Sequence, residues 1–469
     1  MEKLLDQIHG IVWGAPSLLL ILGVGLNLTV RLEFVQLRLF PQAFRYFWQK
    51  LKPGSAADGV SSFQALCTAL AATVGTGNLV GVAGAICLGG PGTIFWMWVC
   101  GILGMAIKYA EAVLAIRFRE KNGREYRGGP MYVMTRGLGK RWYGAACLYC
   151  VFGMFAAFGV GNAAQINAVI TGINTVLARM GREESLLSNL FLGCILAMVL
   201  GMMLLGGAKR IGMAAERLIP FAAVGYILLC VGVLAVRYQA LPNAVFRIVR
   251  GAFSPKAVTG GMLGSAFLAL RVGCSRGVFT NEAGMGTASI AHACASVNHP
   301  VEQGFMGIME VFLDTILICT LTALVILVSG IPIPYGVDAG AELTTLAFAA
   351  VYGDNAALLI AAALILFAVA TVLGWGLYGV RCAEFLFGIG AWKGFVFFQM
   401  AVIVLSSVLD TATVWKASET INGLMAIPNL IMLAVMAPEL VRLTKEYKKS
   451  GISFAGGGTY ANFYQCKPL

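Results

Sequence analysis

The sequence has few charged residues for its length. Asp, Glu, Lys and Arg together make up 12% of its 469 residues, whereas 59% are hydrophobic and the mean hydropathy is +0.81. Soluble domains carry about 25% charged residues. The scarcity therefore excludes an ordinary soluble protein and indicates a chain that lies in a lipid bilayer. The net charge of +12 comes largely from short segments between apolar stretches, which is typical of membrane topology and not of a nucleic-acid binder.

The residue patterns of catalytic and metal centres are also missing. The three histidines have no metal-ligand spacing, and the sequence contains neither a P-loop nor a dinucleotide-binding glycine pattern. Twelve cysteines are scattered, and the C-x-x-C at 147–150 has no histidine or second pair nearby, so we interpret the cysteines as small buried residues. A membrane-embedded enzyme would need a convergent nucleophile and base, or a metal set. We therefore predict that the protein is not an enzyme and has no cofactor.

Eleven apolar segments reach membrane-spanning length, taken as about 20 residues. They lie at residues 10–32, 62–88, 92–117, 142–172, 188–206, 213–236, 259–292, 305–330, 356–386, 392–412 and 419–441. We do not interpret the first as a cleaved signal peptide, because its start carries two acids and one Lys and no convincing cleavage site follows. The sequence predicts a single all-α transmembrane domain of about 11 helices, followed by a tail at 442–469.

The distribution of Lys and Arg predicts the orientation of the chain. With the N-terminus outside, the inner loops hold 23 of the 34 basic residues, the outer loops hold 8, and the remaining three lie within spans. Because short basic loops stay in the cytoplasm, we predict an outside N-terminus and a cytoplasmic C-terminus. The expected location is the inner or plasma membrane of a bacterial cell.

The second span is interrupted by residues that weaken a helix. Gly75, Thr76, Gly77 and Asn78 lie in its middle, and each Gly costs a helix about 1 kcal/mol relative to Ala. Unpaired peptide groups are also costly in hydrocarbon, so such a break must be buried in protein or line a polar cavity. Interrupted helices of this kind form the substrate and ion sites of secondary transporters near the middle of the membrane.

A second stretch rich in glycine and polar residues, 270–287, interrupts the seventh span. Five spans separate the starts of the two interrupted helices. Since five is odd, the two halves of the chain enter the membrane from opposite sides. This spacing predicts an inverted repeat of five plus five helices, with residues 62–236 as the first repeat, 259–441 as the second and 10–32 as an extra N-terminal helix.

Five motifs resemble those of the alanine/glycine:cation symporter family, the sodium:alanine symporters. They are TVGTGN (73–78), GGPGTIFWMWV (89–99), RGVFTNEAG (276–284), VFLDTI (311–316) and LGWGLYGVRCAE (373–384). The resemblance implies a leucine-transporter-like fold of the amino acid–polyamine–cation superfamily, with spans two to eleven as its core. It also implies uptake of small neutral amino acids, alanine or glycine, coupled to Na⁺ or, in some members, to H⁺.

A zwitterionic substrate needs opposite environments a few ångströms apart. The half-helix that starts after Gly77 offers free N–H groups and a positive dipole end to the carboxylate, and the Thr76 hydroxyl adds a donor. We expect carbonyl groups freed near Gly273, Cys274 and Ser275 to accept from the ammonium group.

The resemblance implies further substrate and ion contacts. It places Gln165, Thr371 and Trp375 at or beside the substrate, where the bulk of Trp375 would limit the size of the side chain. It implies a Na⁺ site made by four oxygen ligands, of Ala71, Val74, Phe367 and Thr371. Asn78 resembles a ligand of a second Na⁺ site beside the substrate. Whether Thr371 binds ion, substrate or both stays open, and the absence of Lys from the sixth span favours Na⁺ over H⁺.

Ionisable side chains inside spans are functional candidates. Arg276 and Glu282 are interpreted either as a latch of the inner gate or as a static packing pair. Asp314 is expected to pair with a gate residue or to carry a proton. Lys108 and Glu111, three residues apart, are expected to form a helical pair near the cytoplasmic end of the third span.

Several alternatives stay open at the level of sequence. The basic loop at 117–141 is expected either to gate the inner mouth or to contact lipid headgroups. A proton-coupled symporter, an uncoupled facilitator or a channel would have a similar composition, and only the last two would pass substrate without an ion gradient. The sequence does not determine the preference between alanine, glycine and serine, the stereoselectivity, the number of ions or the oligomeric state.

Overall fold

The computed structural model describes residues 2–51, 60–123, 125–253, 266–337, 340–409 and 412–449. These residues are almost entirely helical. Their one sheet is an antiparallel hairpin of two short strands, Glu120–Asn122 and Glu125–Arg127. This hairpin belongs to the basic loop that follows the third span.

Helices occupy the described part of every predicted span. In chain order, and including short 3₁₀ and π-helical turns, they are Glu2–Val12, Ala15–Arg31, Val35–Arg38, Phe40–Lys50, Ser62–Thr73, Gly77–Gly81, Val82–Gly89, Gly92–Phe118, Pro130–Tyr132, Val133–Gly137, Lys140–Trp142, Tyr143–Phe158, Gly159–Ala163, Ala164–Arg179, Leu186–Leu204, Gly207–Val236, Tyr238–Ala240, Leu241–Phe253, Ala266–Asn281, Thr287–Ala293, Pro300–Val311, Phe312–Cys319, Thr320–Val328, Gly340–Tyr352, Gly353–Asn355, Ala356–Phe387, Ala391–Ser406 and Ala412–Lys449.

The helices agree with a protein that crosses the membrane many times. In the described ranges, eight helices are long and apolar enough to cross a bilayer, and the pair Ser62–Thr73 and Gly77–Gly89, bent by 54°, makes a possible ninth. The predicted tenth span is the shorter apolar helix Ala391–Ser406. The predicted seventh span is two helices, Ala266–Asn281 and Thr287–Ala293, and its first residues lie outside the described ranges. The total of eleven spans therefore stays a prediction.

The end of the last span differs from its predicted position. The final helix, Ala412–Lys449, continues eight residues beyond the predicted boundary at 441, so only the part of the predicted tail after Lys449 lies outside the described residues. Its last turns, after residue 441, are rich in polar and basic residues, so the helix continues past the end of the apolar segment.

Small residues bring the interior helices close together. A Cβ added at Gly307 would lie 2.7 Å from the carbonyl oxygen of Lys108, and one added at Gly374 would lie 2.9 Å from the backbone nitrogen of Ala72. Helices in a membrane associate through such close contacts, because lipid is as apolar as the side chains it would replace. The eighth span is thereby packed on the third, and the ninth span on the first half of the interrupted second span.

Candidate substrate and ion site

The first break lies between Thr73 and Gly77. Val74 is extended, with φ −78° and ψ 105°, and the amide of Gly75 donates to Oδ1 of Asn78 at 2.8 Å. The amide of Asn78 donates in return to the carbonyl of Gly75 at 3.2 Å. The Asn78 side chain thus replaces a helical partner that the break removes. The next half-helix begins at Gly77, and the first N–H groups of a helix have no intrahelical acceptor, so they are available to an anion.

Thr371 of the ninth span lies against this break. Its hydroxyl donates to the carbonyl of Phe367 at 3.0 Å, and a Cβ added at Gly75 would lie 3.1 Å from that hydroxyl oxygen. Ala71 and Val74 lie at the end of the helix that precedes the break, and both are buried, as is Phe367. The structure therefore gathers the four residues that the family resemblance names as Na⁺ ligands around one break.

Oε1 of Gln165 is buried and has no hydrogen-bond partner within the described part of the chain. The indole nitrogen of Trp375 is also buried and lies close to the carboxylate of Glu282 at the second break. Nε2 of Gln165 donates to the carbonyl of Val160 at 3.1 Å, and a Cβ added at Gly161 would lie 2.3 Å from Cβ of Trp375. Trp375 therefore packs on the turn that precedes Gln165. Because buried polar atoms are nearly always satisfied, an acceptor left without a partner is typical of a site for a polar ligand.

The second break does not lie where the sequence analysis placed it. The helix Ala266–Asn281 is continuous, and the chain leaves the helical conformation only at Glu282–Gly286. Gly273 serves helix packing, since a Cβ there would lie 2.3 Å from the carbonyl oxygen of Thr93. The prediction of freed carbonyls was therefore wrong for three residues of this helix: Gly273, Cys274 and Ser275.

The backbone of the second break is held in a conformation that few residues adopt. Gly284 has φ +94° and Gly286 has φ +76°, and glycine tolerates both values because it has no Cβ. Glu282 has φ +53°, in the left-handed region. A non-glycine residue in this region costs on the order of 1–3 kcal/mol, and such strain is concentrated at functional sites.

The end of the helix Ala266–Asn281 releases three carbonyl groups. The amides that would bind them in a continuous helix have other acceptors: Ala283 donates to Oδ1 of Asn281 at 2.9 Å, Gly284 to Oε1 of Glu111 at 3.0 Å, and Met285 to the carbonyl of Glu282 at 3.2 Å. The released carbonyls belong to Phe279, Thr280 and Asn281. They lie close to the first break, since a Cβ added at Gly77 would be 3.7 Å from the methyl group of Thr280.

A chain of hydrogen bonds joins the two breaks through the buried carboxylate of Asp314. Asn78 donates from Nδ2 to one oxygen of Asp314 at 2.7 Å, and Thr315 donates from its hydroxyl to the other at 2.7 Å. Asn281 donates from Nδ2 to the Thr315 hydroxyl oxygen at 3.1 Å. Asp314 therefore contacts Asn78 of the first break directly and Asn281 of the second through Thr315, and among the described residues it forms no ion pair with a charged gate residue.

Glu111 supports the second break from the third span. Its Oε1 accepts from the amides of Gly284 and Gly286 at 3.0 and 3.1 Å, and from Nδ2 of Asn429 at 2.8 Å. Asn429 also donates to the carbonyl of Gly284 at 2.8 Å. Three donors on one carboxylate oxygen hold the irregular backbone in a single shape.

Lys108 has a different partner from the one predicted. Its ammonium donates to Glu310 of the eighth span at 2.8 Å, and Nε2 of His292 lies 2.9 Å from the second carboxylate oxygen of Glu310. All three side chains are almost completely buried. The prediction of a local pair between Lys108 and Glu111 near the cytoplasmic end was wrong, because both side chains turn inward to partners on other spans.

Arg276 and Glu282 also have separate partners. The guanidinium of Arg276 lies 4.0 Å from Glu419 of the last span, whereas the carboxylate of Glu282 accepts from the Thr287 hydroxyl at 2.6 Å. Arg276 lines a cavity of about 250 Å³ that Trp13 borders, near the N-terminus. In the predicted topology this cavity is on the outer side, so the latch proposed for the inner gate is not formed by this pair.

The chain's own N-terminal segment lies across that outer cavity. Nε1 of Trp13 donates to the carbonyl of Glu419 at 3.0 Å, and its ring meets the edge of Phe279 with centroids 6.3 Å apart. A Cβ added at Gly423 would lie 2.4 Å from the side chain of Val12. The first helix is therefore fitted closely to the last span above the site.

Ion pairs join the hairpin of the basic loop to the ninth span. Arg381 of the ninth span binds Glu125 of the hairpin at 2.9 Å and Glu384 at 2.7 Å, and Arg127 of the hairpin lies 3.3 Å from Glu384. The residues around the breaks are buried: Thr76 is 7% exposed, Gln165 4% and Asn78 0%.

Comparison with known proteins identifies the family. The profile of the sodium:alanine symporter family matches residues 1–453. The chain belongs to this family. The sodium/alanine symporter AgcS of Methanococcus maripaludis is 41% identical over 456 residues, which cover 95% of this chain and 97% of AgcS. The probable sodium/glutamine symporter GlnT of Bacillus subtilis is 36% identical over 466 residues, which cover 96% of this chain and 93% of GlnT.

The fold agrees with this membership. The crystal structure of MhsT in complex with L-phenylalanine superposes on the symporter with a TM-score of 0.57 at 13% identity, covering 84% of this chain and 99% of MhsT. The predicted leucine-transporter-like fold is confirmed, and so are the predictions of a multi-pass membrane protein, of sodium-coupled amino-acid symport and of a protein that is not an enzyme.

Sequence reasoning missed three polar residues that shape the site: Asn281, Thr315 and Asn429. It named Glu111 only as a partner of Lys108 and missed that Glu111 supports the second break. One signal was available for the two asparagines. An amide inside a span must face a polar cavity or a partner helix, and the same rule did lead to Gln165. Neither this rule nor the spacing of residues in the sequence reveals which distant residue each amide contacts.

Proposed function

We propose that this symporter carries alanine and glycine into the cell together with Na⁺, with its N-terminus outside and its C-terminus in the cytoplasm. The observation that carries the proposal is the meeting of two buried helix breaks: a new half-helix begins at Gly77 after the first, and the second releases the carbonyls of Phe279–Asn281. The site between the two repeats, residues 62–236 and 259–441, would open to one side of the membrane at a time, which is the alternating-access mechanism.

The proposed site matches the two charges of an amino acid. The carboxylate accepts from the first N–H groups of the half-helix at Gly77 and from the Thr76 hydroxyl, where the helix dipole favours an anion. The ammonium group donates to the carbonyls of Phe279–Asn281. The amide oxygen of Gln165, which has no partner among the described residues, accepts a further bond, and the bulk of the Trp375 ring limits the size of the substrate side chain. A small side chain, hydrogen or methyl, is therefore favoured.

Sodium is proposed to bind between the first break and the ninth span. Na⁺ prefers oxygen ligands, and the candidates are the carbonyls of Ala71, Val74 and Phe367 and the hydroxyl of Thr371. An ion at this position ties the ninth span to the broken helix that binds the substrate carboxylate. Ion and amino acid then favour the same occluded state, and that coupling is what produces symport.

Replacing Thr371 by Val is expected to raise the Na⁺ concentration for half-maximal alanine uptake at least about tenfold. Val keeps the shape of Thr but cannot ligate a cation, and loss of one good ligand is on the order of 1.4 kcal/mol, or a factor of ten. Thr371→Ser, which keeps the hydroxyl, is the matched control and should stay near the parent. Uptake at graded Na⁺ concentrations measures both, and equal Na⁺ dependence of Val and Ser variants would contradict the assignment.

Trp375→Ala is expected to widen the substrate range. Removing the indole empties the space beside the turn at Gly161, so larger neutral amino acids such as leucine should compete with alanine uptake. Competition by unlabelled amino acids measures this range. Trp392→Ala, a change of the same kind in a residue that lines a separate cavity, should leave the profile unaltered. A Trp375→Ala profile identical to that of the parent would assign this tryptophan to packing alone.

The experiment that tests the function is uptake into proteoliposomes. Labelled alanine should accumulate with an inward Na⁺ gradient and not with an equal K⁺ gradient, and unlabelled glycine should compete. Accumulation driven by a pH gradient in the absence of Na⁺ would replace Na⁺ coupling by H⁺ coupling. Equilibration without accumulation under every gradient would identify an uncoupled facilitator.

A further inference from the structure

A cavity of about 430 Å³ lies between the ends of the first and last spans, away from the site described above. Its charged lining consists of five basic residues and one acid, Arg31, Arg38, Lys445, Lys448, Lys449 and Glu33. The net charge of the lining is thus +4. No element of the transport mechanism uses these residues.

The single acid does not neutralise the lysines. Glu33 forms its ion pair with Arg38, and the hydrogen bond and the charge of Arg38 are the largest causes of the lowered pKa of the Glu33 carboxyl. Lys448 and Lys445 lower that pKa further from a greater distance. Among the residues that the structure describes, the three lysines form no ion pair of their own. A strong positive potential therefore remains at the cavity.

The cavity lies at the boundary between the membrane and water. Arg31 is the last residue of the apolar helix Ala15–Arg31, and the lysines are in the last turns of Ala412–Lys449. The helix Phe40–Lys50, which follows shortly in the chain, is amphipathic and exposes Trp48 by 66%. Tryptophan is enriched at the level of the lipid headgroups. The apolar side chains of Leu32 and Val441 line the cavity together with the basic ones.

We propose that this cavity binds an anionic phospholipid of the leaflet that faces the basic end of the chain. Its phosphate lies among Lys445, Lys448 and Arg31, and an acyl chain lies along Leu32 and Val441. Charge complementarity selects the occupant, since a zwitterionic lipid carries no net charge to balance the lining. Basic pockets between membrane helices recognise acidic headgroups by this combination of charge and apolar contact. A lipid bound there contacts both the first span and the last span and stabilises their packing.

The test is lipid binding by the full-length protein in detergent. Native mass spectrometry with added phosphatidylglycerol or phosphatidylcholine counts bound lipids, and the thermal unfolding midpoint reports stabilisation. The parent should retain phosphatidylglycerol and gain thermal stability from it, with no such gain from phosphatidylcholine. Lys445→Gln/Lys448→Gln should weaken retention by roughly tenfold or more, because each basic residue near an acidic lipid contributes substantially to binding.

Three controls keep the outcome decisive. Arg182→Gln/Arg237→Gln removes two exposed charges from loops at the other end of the predicted topology and should retain the lipid like the parent. Glycerol 3-phosphate tests for a site that needs only a phosphate, and a gain in stability equal to that from the lipid would overturn the proposal. Equal lipid retention by parent and Lys445→Gln/Lys448→Gln would also overturn it. If that double variant does not fold, Arg31→Gln, on the other helix, gives the same comparison.

Discussion

Asn78→Ala is expected to lower sodium-driven alanine uptake by about 100-fold or more. The Asn78 side chain accepts from the amide of Gly75 and donates to the carboxylate of Asp314, so one residue both caps the first break and connects it to the second. Losing the cap costs about 1 kcal/mol, and leaving a buried carboxylate without its donor costs about 1–3 kcal/mol more. At 1.4 kcal/mol for each factor of ten, the sum reaches the expected loss.

The effect of Asn78→Ala should appear in binding as well as in rate. Calorimetric titration of the purified variant is expected to show weaker affinity for both alanine and Na⁺, because both ligands depend on the shape of one break. Asn174→Ala removes an amide of the fourth span that bonds to Asn189, far along the helix from Gln165, and should transport at close to the parent rate. Alanine and Na⁺ affinities in Asn78→Ala equal to those of the parent would remove Asn78 from the site.

The first break could be predicted from sequence because its cause is local. Two glycines and an asparagine within four residues interrupt an otherwise apolar span, and the structure places the break there. The second break could not be placed, since the stretch 270–287 contains four glycines, and spacing alone does not tell which of them serve packing. Gly273 fits against Thr93, whereas Gly284 and Gly286 adopt positive φ angles. That difference depends on the neighbouring span.

The partners of the buried charged side chains could not be predicted from the sequence for the same reason. Lys108 and Glu111 are three residues apart, which favours a local pair, yet their partners lie 202 and 173 or more positions away in the chain. A helix presents i and i+3 side chains on neighbouring faces, but in a tightly packed interior the strongest available acceptor or donor determines the orientation. Only the three-dimensional packing of the third, seventh, eighth and last spans identifies those groups.

Lys108→Met is expected to destabilise the folded protein by about 3–5 kcal/mol, the range measured when one partner of a buried ion pair is removed. Lys108 is completely buried and donates to Glu310 at 2.8 Å, so the methionine variant leaves the carboxylate of Glu310 in the interior with only His292 beside it. The loss of stability is measured by heating the detergent-solubilised protein and determining the fraction that stays monodisperse at each temperature. Arg442→Gln, which breaks exposed pairs with Glu439 and Glu446, is the control and should change stability by no more than about 1 kcal/mol.

The double variant Lys108→Met/Glu310→Gln separates the charge from the packing. With Glu310 neutral, the carboxylate that Lys108 balanced in a direct ion pair is gone, and replacing a buried ion pair by neutral side chains of similar volume is often nearly harmless. The double variant should therefore recover most of the stability that Lys108→Met loses. A single variant as stable as the parent would show that Glu310 does not need its lysine. A double variant as unstable as the single one would mean that the shape of Lys108, and not its charge, holds the third span against the eighth.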